Sequence, residues 1–196
     1  MEKDFQKYSK KYKIILADPP WHYKDQGCQG TMKNHYHGIK IEDLKKIPVK
    51  SIADKDCVLF MWATYPFLRE ALELIESWGF VYKTIAFVWI KRNRTGNGYF
   101  FGLGRWTRGN AEPCLLATIG KPRRIHNNIS QLIFDPITKH SRKPEEVNYK
   151  IVELLGDIPR IELFARRKIN GWDAIGYDFD RMDINDSIKL LINGYK

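Results

Sequence analysis

The chain has 196 residues, room for one substantial hydrophobic core and too little for two, with 43% hydrophobic and 29% charged residues, the balance of a soluble globular domain. Lys+Arg 33 against Asp+Glu 23 leaves a net charge of +10, which points to a polyanionic partner without naming a fold. No apolar run long enough for a membrane span is present, the first residues lack the apolar centre of a signal peptide, and Cys28, Cys57 and Cys114 fit neither a disulfide framework nor a zinc site, so a cytoplasmic protein without a metal is expected.

Taken in order, the apolar run 12–17 predicts a buried strand stopped by Asp18-Pro19-Pro20. Residues 41–47 predict a short helix ahead of Pro48, and 57–62 a second buried strand. Pro66 opens a helix with Phe67, Ala71, Leu74, Ile75 and Trp78 on one face and Gly79 at its end. Residues 80–90 read as a third strand. The segment 91–108 is basic, Gly-rich and aperiodic, which predicts a mobile loop. A strand follows at 114–119, then the basic turn Lys121-Pro122-Arg123-Arg124. Lys143 to Leu155 predicts a helix with Val147, Ile151 and Leu154 inward, and 160–165 a last core strand. A helical segment at 184–192 lies in a tail set apart here as 181–196, leaving 1–180 as the main domain. Strands alternating with helices imply an α/β layer with a mainly parallel sheet, whose ligands bind beyond the C-terminal strand ends.

Asp18-Pro19-Pro20-Trp21, at such an end, reads locally as a strand-ending turn with an indole covering the core. The same residues supply what methylation of an amine on a flat base needs. The amine's lone pair is delocalised into the ring, so a carboxylate accepting one N–H and a backbone carbonyl accepting the other would draw the nitrogen toward tetrahedral geometry. Proline carbonyls suit this, because the ring fixes φ and carries no competing N–H. An indole offers a stacking face to a base taken out of its helix.

Six blocks occur in one order: Ala17-Asp18-Pro19-Pro20-Trp21; Asn34-His35-Tyr36; Leu59-Phe60-Met61-Trp62; residues 105–112, beginning Arg105-Trp106 and ending in Glu112; residues 139–146 around Lys143-Pro144; and Ile161-Glu162-Leu163-Phe164-Ala165-Arg166. Over roughly residues 12–178 the chain resembles the DPPW-type, MT-A-seventy-like adenine methyltransferases. The resemblance implies a single-domain class I (Rossmann-like) fold with permuted, β-class motif order, and S-adenosylmethionine as methyl donor. It implies catalysis by Asp18, Pro19, Pro20 and Trp21, and cofactor contacts from Lys143 (to the methionine carboxylate), Glu162, Phe164, Arg166, Asn170 and Asp178. Tyr36 and Trp62 match base-approaching positions, Tyr23 and the 91–108 loop match gates, and Glu112 matches a glutamate supporting that loop. Lys91, Arg92, Arg94, Arg105 and Trp106 fit phosphate neutralisation with stacking. Where the family usually carries Gly-Asn-Gln or Gly-Asn-Glu, this chain has Gly176-Tyr177-Asp178, so Tyr177 cannot make the asparagine contact. Pro113-Cys114 is similar to a cytosine-methylating nucleophile, but its apolar neighbours favour a core cysteine.

The sequence therefore predicts N6 methylation of adenine, in DNA rather than RNA. An RNA adenosine methylase and a non-catalytic substrate-holding subunit are the alternatives. A homodimer or a pair with a related subunit is expected. The basic excess is expected at 91–108 and 121–124, beside the Asp18 pocket.

Overall fold

The computed structural model describes residues 10–22, 38–104, 106–138 and 142–193. Apolar runs become strands of a single seven-stranded sheet: β1 (Tyr12–Ala17), β2 (Ala53–Trp62), β3 (Val81–Arg92), β4 (Ala111–Ile119), β5 (Leu132–Pro136), β6 (Arg160–Leu163) and β7 (Asp173–Ile175), in the spatial order β5-β3-β4-β2-β1-β6-β7. The pairs β1–β2, β1–β6, β6–β7 and β3–β5 are parallel, whereas β4 is antiparallel to both β2 and β3. Six strands therefore point one way and β4 runs back between them, the mainly parallel α/β sheet that the alternating pattern implies. The C-terminal ends of six strands and the start of β4 share one edge. Neighbours lie to both sides of β1, which makes the β1/β6 boundary a topological switch point.

Helices cover both faces. On one, α1 (Ile41–Lys46) and α2 (Leu68–Ser77) bury Leu44, Ala71, Leu74 and Ile75, and the Trp78 indole N–H donates to the Leu44 carbonyl at 2.9 Å. Pro66 lies in a 3-10 turn (Tyr65–Phe67) just ahead of α2. Gly79, at φ 82°, ends the helix in a conformation open to glycine. On the other face α3 (Glu146–Leu155) buries Val147, Asn148, Ile151 and Leu155. Leu155 completes the i, i+4, i+8 row from Val147 through Ile151, and Leu154, expected to face inward, packs partly buried against the same cluster.

The short α4 (Tyr177–Asp180) is followed by α5 (Ile184–Asn193). Ile184 and Ile188 of α5 join the core cluster that holds Tyr12, Ile15 and Ile161, so this part of the tail packs as a layer of the same domain.

Three expectations change. Lys91 and Arg92 end β3 rather than open a loop, since pairing with β4 and β5 continues through them. Strands β5 and β7 escaped the pattern because they are only five and three residues long. The basic turn 121–124 is not beside Asp18. Cys57, at the start of the β2–β4 ladder, pairs with Ile119, while Trp62 pairs with Cys114; the turn after β4 thus sits at the opposite sheet edge, roughly 17 Å away along the strands.

Candidate active site

Asp18 follows β1, and the inward alternation of Ile14 and Leu16 carries its carboxylate onto the α3 side of the sheet. There Lys143, just ahead of α3, places Nζ 2.9 Å from Asp18 Oδ1 and 2.9 Å from Glu112 Oε1. Glu112, buried in β4, accepts from Lys91 Nζ at 2.8 Å through its other oxygen. Lys91 Nζ in turn lies 5.0 Å from the centre of the Trp89 ring, and Lys143 Nζ 5.7 Å from that of Trp62. Four charges thus form one chain, Asp18–Lys143–Glu112–Lys91.

The local electrostatics follow from this chain. Burial raises Asp18 above the usual carboxylate range, with Lys143 opposing and Glu112 reinforcing the rise. Burial also pushes Glu112 upward, but Lys143 and Lys91 outweigh it and hold the group below its ordinary value. For Lys143 burial opposes the charge, yet Asp18 and Glu112 keep the ammonium strongly protonated. Glu162, opposite Leu16 on β6, is pushed up to about 7 by burial and by the Asp18 charge, against a long contact from Asn148 (3.5 Å) and the field of Lys143.

Beside this chain lies a cavity of about 360 Å³ at the switch point. It brings together Asp18, Trp62, Lys143, Glu162, Phe164, Arg166 and Asp178, seven of the residues expected from the sequence. Leu16, Val147 and Ile169 add apolar wall, and Arg142, Arg167 and Asn148 add polar groups that the motif reading missed. Asn148 was detectable as a polar residue on the inner face of an otherwise apolar helix row. Phe164 leaves β6 with φ 60°, rare for an aromatic residue. Gly176 presses on that turn so closely that a Cβ there would lie 2.7 Å from the Phe164 carbonyl carbon and 2.5 Å from the Ala165 nitrogen, while Ala165 N–H donates to Ile175 O at 3.0 Å. Arg166 and Asp178 approach to 3.8 Å across the mouth.

Other expected residues lie elsewhere. Asn170 is exposed in a turn and does not line the cavity. Trp21 is buried on the far face of the sheet, stacked on Phe67 (5.8 Å, 14°), with no hydrogen-bond partner for its indole N–H among the described residues; its ring is core here, not a platform facing the cavity. Lys91 is committed to Glu112 rather than free for phosphate. Arg92 lies 5.3 Å from the Phe134 ring centre, Arg94 is exposed, and Trp106 is fully exposed. Tyr23, Tyr36 and Arg105 lie outside the described residues. The Pro19 carbonyl accepts from Trp21 N–H and the Pro20 carbonyl from Ile39 N–H, both at 2.9 Å, which leaves each oxygen a second lone pair. Burial drives the Cys114 thiol well above its ordinary value, so no thiolate nucleophile forms at Pro113-Cys114.

Comparison with known proteins identifies the family of the chain. The MT-A70 family model matches residues 12–178. The chain belongs to the MT-A70 family. The relatives include the type II methyltransferase M.MunI of Mycoplasma sp, 37% identical over 86% of this chain and 78% of that protein. An Arabidopsis thaliana N(6)-adenosine-methyltransferase MT-A70-like protein is 28% identical over 83% of this chain but only 23% of its own length. Human N(6)-adenine-specific methyltransferase METTL4 is 28% identical over 86% of this chain and 38% of its own length. The chain is a methyltransferase of this family, and the Asp18 cavity occupies the end of the sheet where such a fold places its ligands.

Proposed function

We propose that this MT-A70 protein transfers a methyl group from S-adenosylmethionine to N6 of adenine in DNA, with Asp18 as the residue that orients the amine. The observation that carries the reading is the largely buried Asp18 carboxylate, anchored by Lys143 at the rim of a cavity walled by both apolar and charged groups. The match along most of a type II methyltransferase favours DNA over RNA.

The cavity residues fit the cofactor's chemistry. Arg142, Arg166 and Arg167 offer cations to a carboxylate, Glu162 and Asp178 offer acceptors to amine or hydroxyl groups, and Phe164 with Ile169 offers an apolar face to a purine. When bound, S-adenosylmethionine supplies a methyl group on a cationic sulfur. On the protein's side, Asp18 accepts one amine N–H and the free lone pair of a proline carbonyl accepts the other, turning the nitrogen lone pair outward. The raised pKa of Asp18 makes its carboxylate a better acceptor for the proton that the alkylated nitrogen sheds. Catalysis is then positioning plus electrostatics, with no covalent intermediate. Lys143 keeps the buried carboxylate ionised, and its link to Glu112 fixes where it stands. A cytoplasmic enzyme acting as a homodimer or with a related subunit fits this role.

The test is methyl transfer from labelled S-adenosylmethionine to matched DNA and RNA oligonucleotides, with product nucleosides identified. N6-methyladenine in DNA is expected, and Asp18→Ala should lower the rate by at least about two orders of magnitude. Undiminished activity in that variant removes Asp18 from the mechanism, and product in RNA alone reverses the substrate assignment.

A further inference from the structure

Beyond β3 the chain turns back on itself at 93–98, where Gly96 N–H donates to Asn93 O at 2.7 Å, and then Phe100 N–H donates to Lys91 O at 2.9 Å. From there residues 99–104 and 106–109 form the two legs of a narrow hairpin that meet at Gly102 and Gly109, with a 2.9 Å N–H to O contact. A Cβ on Gly102 would sit 2.5 Å from Gly109 O, and one on Gly104 would collide with Thr107 O. Glycine at these places lets two backbones touch with no side chain between them. The result is a finger about as thin as a polypeptide pair can be.

What the finger presents is apolar. Leu103 is 72% exposed and Trp106 100%, with Tyr99 and Phe101 partly exposed along one leg. Such side chains in water mark a binding surface rather than a resting state. Arg92, Arg94 and Arg108 flank them, and no acidic residue occurs in the sequence from Lys91 to Ala111. Basic flanks with a stackable apolar tip match a base step between two phosphate backbones. The position matches too. The finger rises from the sheet edge that holds Asp18, its root is tied to Asp18 through Lys91, Glu112 and Lys143, and β3 stands three strands from β1, roughly 14 Å.

We propose that this finger is a wedge: Leu103 and Trp106 enter the duplex beside the target adenine and occupy the stack it vacates when it swings toward Asp18. An enzyme acting on a paired base must take it out of the helix, and that unstacking costs free energy which an inserted apolar side chain offsets. The proposal rests on the DNA-methyltransferase reading above and adds to it how a duplex is opened.

The experiment compares wild type, Leu103→Ala, Trp106→Ala and Trp106→Phe on unmethylated plasmid DNA as duplex and after heat denaturation. A synthetic duplex around a methylated site mapped on the plasmid, with an abasic position opposite the target adenine, completes the set. Both alanine variants should lose about tenfold or more on intact duplex and less than about twofold on denatured or abasic DNA, where no stacked pair need be opened. Trp106→Phe should restore most of the duplex rate, and the Michaelis constant for the methyl donor should stay unchanged in all. Equal losses on duplex and denatured DNA, or no loss on duplex, overturn the wedge while leaving the enzyme assignment intact. A wild-type protein that methylates neither form overturns the DNA reading itself, and the wedge with it.

Discussion

The two edges of the sheet carry basic side chains in opposite states. Where six strands end, Lys143 and Lys91 are drawn inward and share the buried Glu112, and Lys143 also holds Asp18. Where those strands begin, Lys121, Arg123 and Arg124 are exposed, and among the described residues none of their side chains is ion-paired; Lys121 is held only by its backbone N–H on Asp56 Oδ1 at 2.7 Å. One net charge of +10 therefore contains two kinds of cation. Those at the first edge fix the geometry of a buried carboxylate, and those at the second are solvated. Location and pairing decide function, and a count does not.

The sharpest way to break this contrast is to remove the shared carboxylate. Glu112→Gln leaves two lysines with one fewer negative partner in a site from which water is largely excluded. Losing one member of a buried charge group costs about 3–5 kcal/mol, so a clear drop in the midpoint of denaturant unfolding is expected. An unchanged midpoint would mean the chain of charges adds nothing to stability, and the two edges would then be energetically alike.

A second effect, smaller and dependent on pH, distinguishes Glu162 from both groups. It lies at the first edge but has no ion pair of its own among the described residues, and burial with the Asp18 charge raises it to about 7 from an ordinary 4.5. The folded protein thus holds this proton more tightly than the unfolded chain does. Its contribution to stability is complete below about pH 4.5 and is lost as pH rises through about 7, by at most about 3.5 kcal/mol. Stability of wild type measured against Glu162→Gln from pH 4 to 8 should fall across that window and level off above it. A constant difference would mean that Glu162 titrates as an exposed carboxylate.

Much of this edge was legible in the sequence because motif and strand signals coincide there. The apolar run ending at Asp18 located β1, and the pattern of Glu162 within an apolar hexapeptide located β6, so Asp18, Glu162 and Phe164 could be brought to one cavity from spacing and resemblance. Trp21 was harder. An indole after two prolines reads equally as core or platform, and only packing against Phe67 separates the two. The misplacement of 121–124 has a different origin. Nothing in Cys114-Leu115-Leu116-Ala117 tells which way a strand points, and strand direction alone decides which edge the following turn joins. The partner of Lys143 was likewise hidden, because Glu112 and Asp18 are 94 positions apart in sequence and meet only through the β1, β2, β4 order.

The least effect is expected at the second edge, where a null result is itself informative. Replacing Lys121, Arg123 and Arg124 together by alanine should shift stability by no more than about 0.5 kcal/mol per site and leave methyl transfer to short duplexes unchanged. Arg94→Ala, on the catalytic side, should instead lower the dependence of DNA affinity on salt by about one released counterion. The two edges lie roughly 17 Å apart along β2 and β4, about five base steps of duplex. A duplex presenting its base to Asp18 lies across the first edge, and a smooth bend down to the second over so few steps would be costly. If the triple variant flattens the salt dependence as Arg94→Ala does, the DNA must follow the side of the protein after all, and the second edge would belong to the nucleic-acid surface despite its distance from the chemistry.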